Sequence, residues 1–414
     1  MSSKILNNGV FCVMPWTHMA VAPNGRIRPC SWETDFYLKF PDNSIYNLID
    51  HDIKNHSNNY PITQLKQNML DGKKSEYCKR CYEQEKLCGV SKRTVETFNH
   101  QKKFAEDIAL GIDIPIKQIE LRLGNMCNIG CITCNPYSSN YFIKEINKKQ
   151  FPMDNFTKSF TRQYNEVVNV DLNWYQNKEF WKNIESHLEN VTYIYLAGGE
   201  PTIIKENWEF LEKVIELGYA KNIKLGISTN LTNVQPRHIE IYNSFKETSI
   251  YSSIDAYGKL NNYVRYPSKW EAIKKNFQTL CDKADNRIVK FNVIPVISIF
   301  TIWTLDQLGK WVHEVREITN AQIEFGTHTI LRKPEYMSIY NLPDLAKKDA
   351  LEVVKNMKNQ LTEFQYNRLY DYITNSIGYG DVNIFYDGKK YIDNFDNLRQ
   401  NNWQDYVPEL KKYW

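Results

Sequence analysis

No apolar run in this 414-residue chain approaches the roughly 20 residues that a helix needs to cross a bilayer. The opening stretch "MSSKILNNGVFCVMPW" also lacks an apolar core of secretory-signal length. Together these absences predict a cytoplasmic protein. A block of Lys or Arg is missing too: the net charge of +4 is spread over 52 basic and 48 acidic residues, so the electrostatic footprint of a nucleic-acid binder is not indicated. What the chain does have is 42% apolar residues, enough for a real core and for two or three domains.

Nine cysteines are the other abundance. In a reducing compartment, thiols clustered at short spacing are more often ligands than disulfides. Seven fall in two groups, and Cys88 and Cys281 are left over. "NMCNIGCITCNP" puts Cys127, Cys131 and Cys134 on one loop as CxxxCxxC. Three thiolates hold a soft metal centre and leave one position open. Structural zinc wants four protein ligands, so this loop is an incomplete zinc site unless Cys88 or Cys281 folds back to complete it.

Downstream of "IKQIELRLGN", β-branched and aliphatic runs alternate with amphipathic stretches such as "KENWEFLEKVIELGY" and "TLDQLGKWVHEVREIT". The pattern predicts strands at residues 116–123, 191–197, 223–229, 248–255, 289–298 and 321–327, in a parallel sheet with right-handed crossovers. The second of these ends in "LAGGEPT", the third in "ISTN" and the fourth in "YSSIDAYG".

CxxxCxxC after a first strand, followed some sixty residues later by Gly-Gly-Glu-Pro after a second, resembles the radical SAM enzymes. The resemblance implies an α/β fold, a partial (β/α)6 barrel. In that family the three cysteines ligate three irons of a [4Fe-4S] cluster, and S-adenosylmethionine chelates the fourth. By resemblance, Gly198, Gly199, Glu200 and Pro201 would meet the amino group of that cofactor. Ser228, Asn230, Ser253 and Asp255 would meet its ribose and carboxylate, with Arg265 facing the carboxylate and Ile299 near adenine. Thr133 stands where the family often has an aromatic. Each strand-end residue, read alone, is equally a turn residue bonding its own backbone.

Cys12 and Cys30 flank a hairpin signal at Pro23-Asn24-Gly25, and Cys78 and Cys81 form a distant CxxC. On spacing alone this also fits a zinc ribbon. Cys12, twelve residues, Gly25, four residues, Cys30 resembles the opening of the SPASM motif. The remaining cysteines are fewer, as in the shorter twitch domain with one auxiliary [4Fe-4S] cluster. Cys88 comes one residue late for the motif and could replace one ligand. In relatives the auxiliary domain usually follows the barrel, whereas here it precedes it. The division implied is an auxiliary domain at 1–110, a barrel at 111–334 and a C-terminal helical cap at 335–414.

The resemblance implies reductive cleavage of S-adenosylmethionine to a 5′-deoxyadenosyl radical, which takes a hydrogen atom from a substrate. An external one-electron donor such as flavodoxin or ferredoxin is implied. SPASM and twitch relatives commonly modify peptides or proteins, and an auxiliary cluster suits an oxidation or cross-link. A small-molecule dehydrogenase or epimerase is the alternative, and a zinc-binding scaffold is the reading from another class. The Asn-, Tyr- and Phe-rich segment 135–175 offers substrate contacts or a covering helix, and Glu324 and His328 stand at the last strand.

Overall fold

The computed structural model describes residues 2–31, 36–149, 158–168, 172–327 and 329–414. The chain divides into two compact units. The first comprises Met1–Gly124, Asp171–Gly198 and Lys205–Leu225; the second comprises Asn125–Val170, Gly199–Ile204 and Gly226–Trp414.

The first unit opens with the expected hairpin. Strands β1 (His18–Val21) and β2 (Ile27–Arg28) pair antiparallel across Pro23-Asn24-Gly25. Gly25 has φ +74°, a conformation that costs other residues a Cβ clash. Its bare Cα also lies against the Trp174 ring, whose Nε1 donates to the Pro23 carbonyl at 2.9 Å. β1 pairs parallel with β3 (Gln118–Arg122), and β3 pairs parallel with β4 (Tyr193–Ala197). Alternation sets the faces: Ile119, Leu121, Ile194 and Leu196 are buried on one, while Glu120 and Arg122 point to the other. Strand β5 (Lys224–Thr229) starts here, with Lys224 N–H donating to the Thr192 carbonyl at 2.9 Å. The boundary between the units falls inside it.

The second unit continues β5 and adds β6 (Glu247–Ser252), β7 (Val289–Val293) and β8 (Ile323–Phe325). β6, β7 and β8 are parallel neighbours, with Ile250 opposite Phe291 and Phe291 opposite Ile323. Helices Pro236–Asn243, Trp270–Lys283 and Leu305–Thr319 connect successive strands and bury their apolar stripes. Helices Asp344–Asn356, Glu363–Thr374 and Val382–Arg399 follow, the second opened by a Thr362–Gln365 capping box.

All six expected strands form, as β3 to β8, each followed by helix, so the α/β partial (β/α)6 fold is the one observed. All six are shorter than expected, β7 by the most. β7 stops at Val293 because Pro295 has no N–H for the ladder, and only an isolated bridge, Ile297 to Ile330, lies beyond. β6 stops at Ser252, before the residues that turn into the site. Among the described residues no helix is long and apolar enough to cross a membrane.

Candidate functional site

The loop after β3 is built entirely from backbone held by its neighbours. Cys127 N–H donates to Asn140 Oδ1 at 3.1 Å, and Asn125 Nδ2 donates to the Pro136 carbonyl at 3.0 Å. Ser139 Oγ closes the middle on the Ile129 carbonyl at 2.8 Å. Gly130 and Ile132 donate their N–H groups to the carbonyls of Tyr266 and Val264 at 2.7 and 2.8 Å. The C-terminal helix Val382–Arg399 grips the same loop: Tyr391 Oη donates to the Ile132 carbonyl at 2.8 Å and Arg399 Nη2 to the Gly130 carbonyl at 2.6 Å. Arg399 in turn pairs with Glu145 at 2.7 Å. With these amides and carbonyls engaged, Cys127, Cys131 and Cys134 are presented on a braced backbone. Cys131 is buried and the other two are half-buried.

Around that loop the second unit gathers strand-end polar groups. Glu200 is buried, and its N–H donates to the Met126 carbonyl at 2.8 Å. Its carboxylate accepts from Thr202 N–H, Thr202 Oγ1 and Thr229 Oγ1 on one oxygen, and from Asn230 N–H at 2.6 Å on the other. Burial raises this carboxyl above the usual range, and those donors pull it part of the way back. Glu200 therefore ties the end of the Gly-Gly-Glu-Pro turn to the end of β5. Asn230 Nδ2 donates to Asn128 Oδ1 at 2.9 Å and lies 4.0 Å from Cys127 Sγ. Asp255 pairs with Arg265 Nη1 at 2.7 Å and accepts from Val296 N–H at 3.0 Å. The Arg265 guanidinium is driven further toward its charged form by the Cys131 thiol and Asp255, against its burial.

Burial pushes the Cys131 thiol up to about 12, with Arg265 pulling against it. Cys127 and Cys134 are raised by burial as well. Thiols raised in this way become thiolates only beside a cationic centre, and Arg265 supplies one further positive charge. That donor set fits an iron–sulfur cluster with one open iron.

The first unit holds the second thiol group. Cys12, Cys30, Cys78 and Cys81 line one cavity, together with Met14, Tyr77, Arg80, Lys92 and Arg93. Cys12 precedes the short helix Met14–Thr17, Cys30 follows β2, and Cys78 and Cys81 lie at the start of helix Lys79–Cys88. Arg93 is fixed by Glu85 at 2.6 Å and by the Phe11 carbonyl at 2.8 Å. Cys12 is raised first by burial and then by its Cys78 and Cys30 neighbours, the mutual repulsion expected where several thiolates would share one site. Four soft ligands beside three cations suit an all-cysteine cluster, whose net charge is negative.

The expected residues divide as follows. Gly199, Glu200, Asn230, Asp255 and Arg265 stand with the three cysteines in the second unit. Ser253 donates its N–H to the Thr229 carbonyl at 2.9 Å, on the adjoining strand end. Ser228 is half-buried on β5, and Pro201 is buried at the start of a single 3₁₀ turn. Gly198, with φ +126°, belongs to the first unit. Ile299 is fully buried, its N–H on the Met337 carbonyl at 3.0 Å. Cys281 is buried within helix Trp270–Lys283. The Cys88 side chain and His328 lie outside the described residues. In segment 135–175, helices Asn140–Lys149 and Lys158–Val167 form. Sequence reasoning missed Tyr391, Arg399, Lys92 and Arg93. Only the consecutive Lys-Arg pair downstream of CxxC offered a signal for any of them.

An α/β chain with a three-thiol loop after the first barrel strand and a four-thiol cavity has the donor sets of an iron–sulfur enzyme of the barrel class. Residues 121–312 match the radical SAM superfamily, and residues 12–82 match the SPASM iron-sulfur cluster-binding domain. Residues 121–312 are thus a radical SAM domain, and a SPASM-type domain at residues 12–82 precedes it. Such enzymes use a [4Fe-4S] cluster with S-adenosylmethionine, and SPASM domains add auxiliary iron–sulfur clusters.

Comparison with curated proteins finds no match. Among solved structures, Streptococcus suis SuiB bound to S-adenosylmethionine is similar at 15% identity and TM-score 0.34, over 76% of this chain and 67% of that one. SuiB bound to precursor peptide SuiA gives 13% identity and TM-score 0.34, over 76% and 66%. Native anSMEcpe with bound AdoMet gives 18% identity and TM-score 0.37, over 63% of each chain. The chain thus spans about two thirds of the length of these structures.

Proposed function

We propose that this enzyme modifies a peptide or protein side chain by hydrogen-atom abstraction, ending in an oxidation or cross-link. The observation that carries the reading is the pairing of two thiol sets: three cysteines on a braced loop and four around a cavity that holds Lys92 and Arg93. In this reading Cys127, Cys131 and Cys134 hold the cluster that S-adenosylmethionine completes. Cys12, Cys30, Cys78 and Cys81 hold a single auxiliary [4Fe-4S] cluster. The domain division is 1–110 for the auxiliary domain, 111–334 for the barrel and 335–414 for the helical extension.

When bound, the cluster and S-adenosylmethionine supply a one-electron cleavage that yields a 5′-deoxyadenosyl radical. The chain's own residues bind, orient and shield. Gly199 lets the turn after β4 lie flat on the cluster loop, where an exposed amide edge can receive the methionyl amino group. Glu200 fixes the turn against β5. Arg265, held by Asp255, offers its remaining N–H groups to a carboxylate. Asn230 keeps an amide donor beside Cys127. Cys12, Cys30, Cys78 and Cys81 would hold an all-cysteine auxiliary cluster, which would supply an acceptor for the electron left on the oxidised side chain. A small external electron donor starts each cycle.

The test is co-expression with each short open reading frame flanking the gene, followed by mass spectrometry of the peptides. Loss of hydrogen from one peptide, dependent on Cys127, supports the reading. Unchanged peptides, together with turnover of a small metabolite, would replace it with the small-molecule alternative.

A further inference from the structure

One face of the first unit's sheet carries charge with too few partners. Ala20 sits opposite Arg28 on β2 and opposite Glu120 on β3, so Arg28, Ala20 and Glu120 form one row across three strands. His18 and Arg122, two residues along their strands, share that face by alternation. His18, Arg28 and Glu120 are each at most 5% exposed. Glu120 accepts from Arg122 Nε at 2.7 Å and lies 3.8 Å from His18 Nε2. Arg28 meets the Tyr37 hydroxyl, yet its Nε and Nη1, and Nδ1 of His18, are buried with no hydrogen-bond partner. Arg122 keeps 24% of its side chain open.

The charge count is unbalanced as well. Among the described residues, two guanidiniums face one carboxylate. His18 is held down to about 4 by burial and is neutral. Lys92, the next cation, is engaged by Glu96 at 2.7 Å. Buried guanidinium N–H groups without acceptors, beside a surplus positive charge, are costly unless an anion completes them.

We propose that this row is a carboxylate subsite, in which Arg28 and Arg122 receive a carboxylate of the substrate while Glu120 and His18 set the guanidiniums in place. The proposal rests on the peptide-substrate reading above, in which the carboxylate is an acidic side chain or the peptide's own terminus. Arg chemistry favours this class, since a planar guanidinium matches a carboxylate better than an ammonium does.

The test is anaerobic calorimetric titration of the cluster-loaded protein. N-acetylglutamic acid α-amide carries only a side-chain carboxylate, N-acetylalanine only a terminal one, and N-acetylalanine amide neither. One acid should bind saturably and the amide should not, which names the source of the carboxylate. Arg28→Gln should weaken that acid at least tenfold while iron, sulfide and dithionite-driven cleavage of S-adenosylmethionine stay at the wild-type level. If Arg28→Gln fails to fold, Arg122→Gln serves with the same expectation. Binding of neither acid, or equal binding by wild type and variant, overturns the subsite. Absence of cofactor cleavage in the wild type would instead overturn the enzymatic reading and leave the titration to decide this one.

Discussion

Gly199 rests directly on the peptide of Met126: a Cβ added at Gly199 would stand 2.6 Å from the Met126 carbonyl carbon. Backbone cannot yield as a side chain can, so Gly199→Ala must push the turn after β4 off the cluster loop. The expected loss is about 1–3 kcal/mol of stability, together with the loop cluster. Iron analysis of the purified variant checks it: content should drop by about half, from about eight irons to about four.

Arg399 is nearly closed off from solvent, and its removal strands two acceptors, the Gly130 carbonyl and the Glu145 carboxylate. Arg399→Met should cost about 3–5 kcal/mol, because the buried guanidinium is lost and the half-buried Glu145 carboxylate is left unpaired. Tyr391→Phe, which removes one hydroxyl from the Ile132 carbonyl, should cost about 1 kcal/mol. Urea unfolding of the two variants checks the ratio.

Asn230 places an amide donor near Cys127 sulfur. Hydrogen bonds to cluster sulfurs favour the reduced state, so Asn230→Ala should lower the midpoint potential of the loop cluster by on the order of tens of millivolts. Redox-poised EPR reads this directly. An unchanged potential would mean that the donor serves Asn128 alone.

His56 is fully buried and its imidazole is pushed down to about 3 by burial, from an ordinary value near 6.5. The unfolded chain therefore binds a proton that the folded chain refuses across that interval. Stability from this group is complete above about pH 6.5 and is lost as pH falls toward 3, at about 2 kcal/mol by pH 5. A His56→Gln variant should show a shallower fall in melting temperature between pH 6.5 and pH 4.5 than the wild type. Parallel curves would contradict the assignment.

The six strands were legible because each is a short β-branched run closed by a turn signal, and the two thiol groups because their spacing is set by ligation chemistry. The ends of β6 and β7 were less so. Pro295 marks where β7 must stop, but Ser253 and Asp255 look like strand residues until the turn into the site is seen. Tyr391 and Arg399 were illegible for a different reason: they act on Gly130 and Ile132 across more than 250 positions of sequence, and no local pattern announces such a contact. Glu200 was legible as a site residue, but not its four donors from residues 202 to 230, which come together only when the turn at Gly199–Ile204 meets the end of β5.

The central claim, two clusters on two cysteine sets, is tested most directly by iron, sulfide and zinc analysis of anaerobically reconstituted protein. The measurement is made on the wild type and on a Cys127→Ala, Cys131→Ala, Cys134→Ala variant, each followed by a dithionite assay for 5′-deoxyadenosine. About eight irons falling to about four, with 5′-deoxyadenosine formed only by the wild type, is the result predicted here. Zinc in place of iron, with no 5′-deoxyadenosine from either protein, would contradict it.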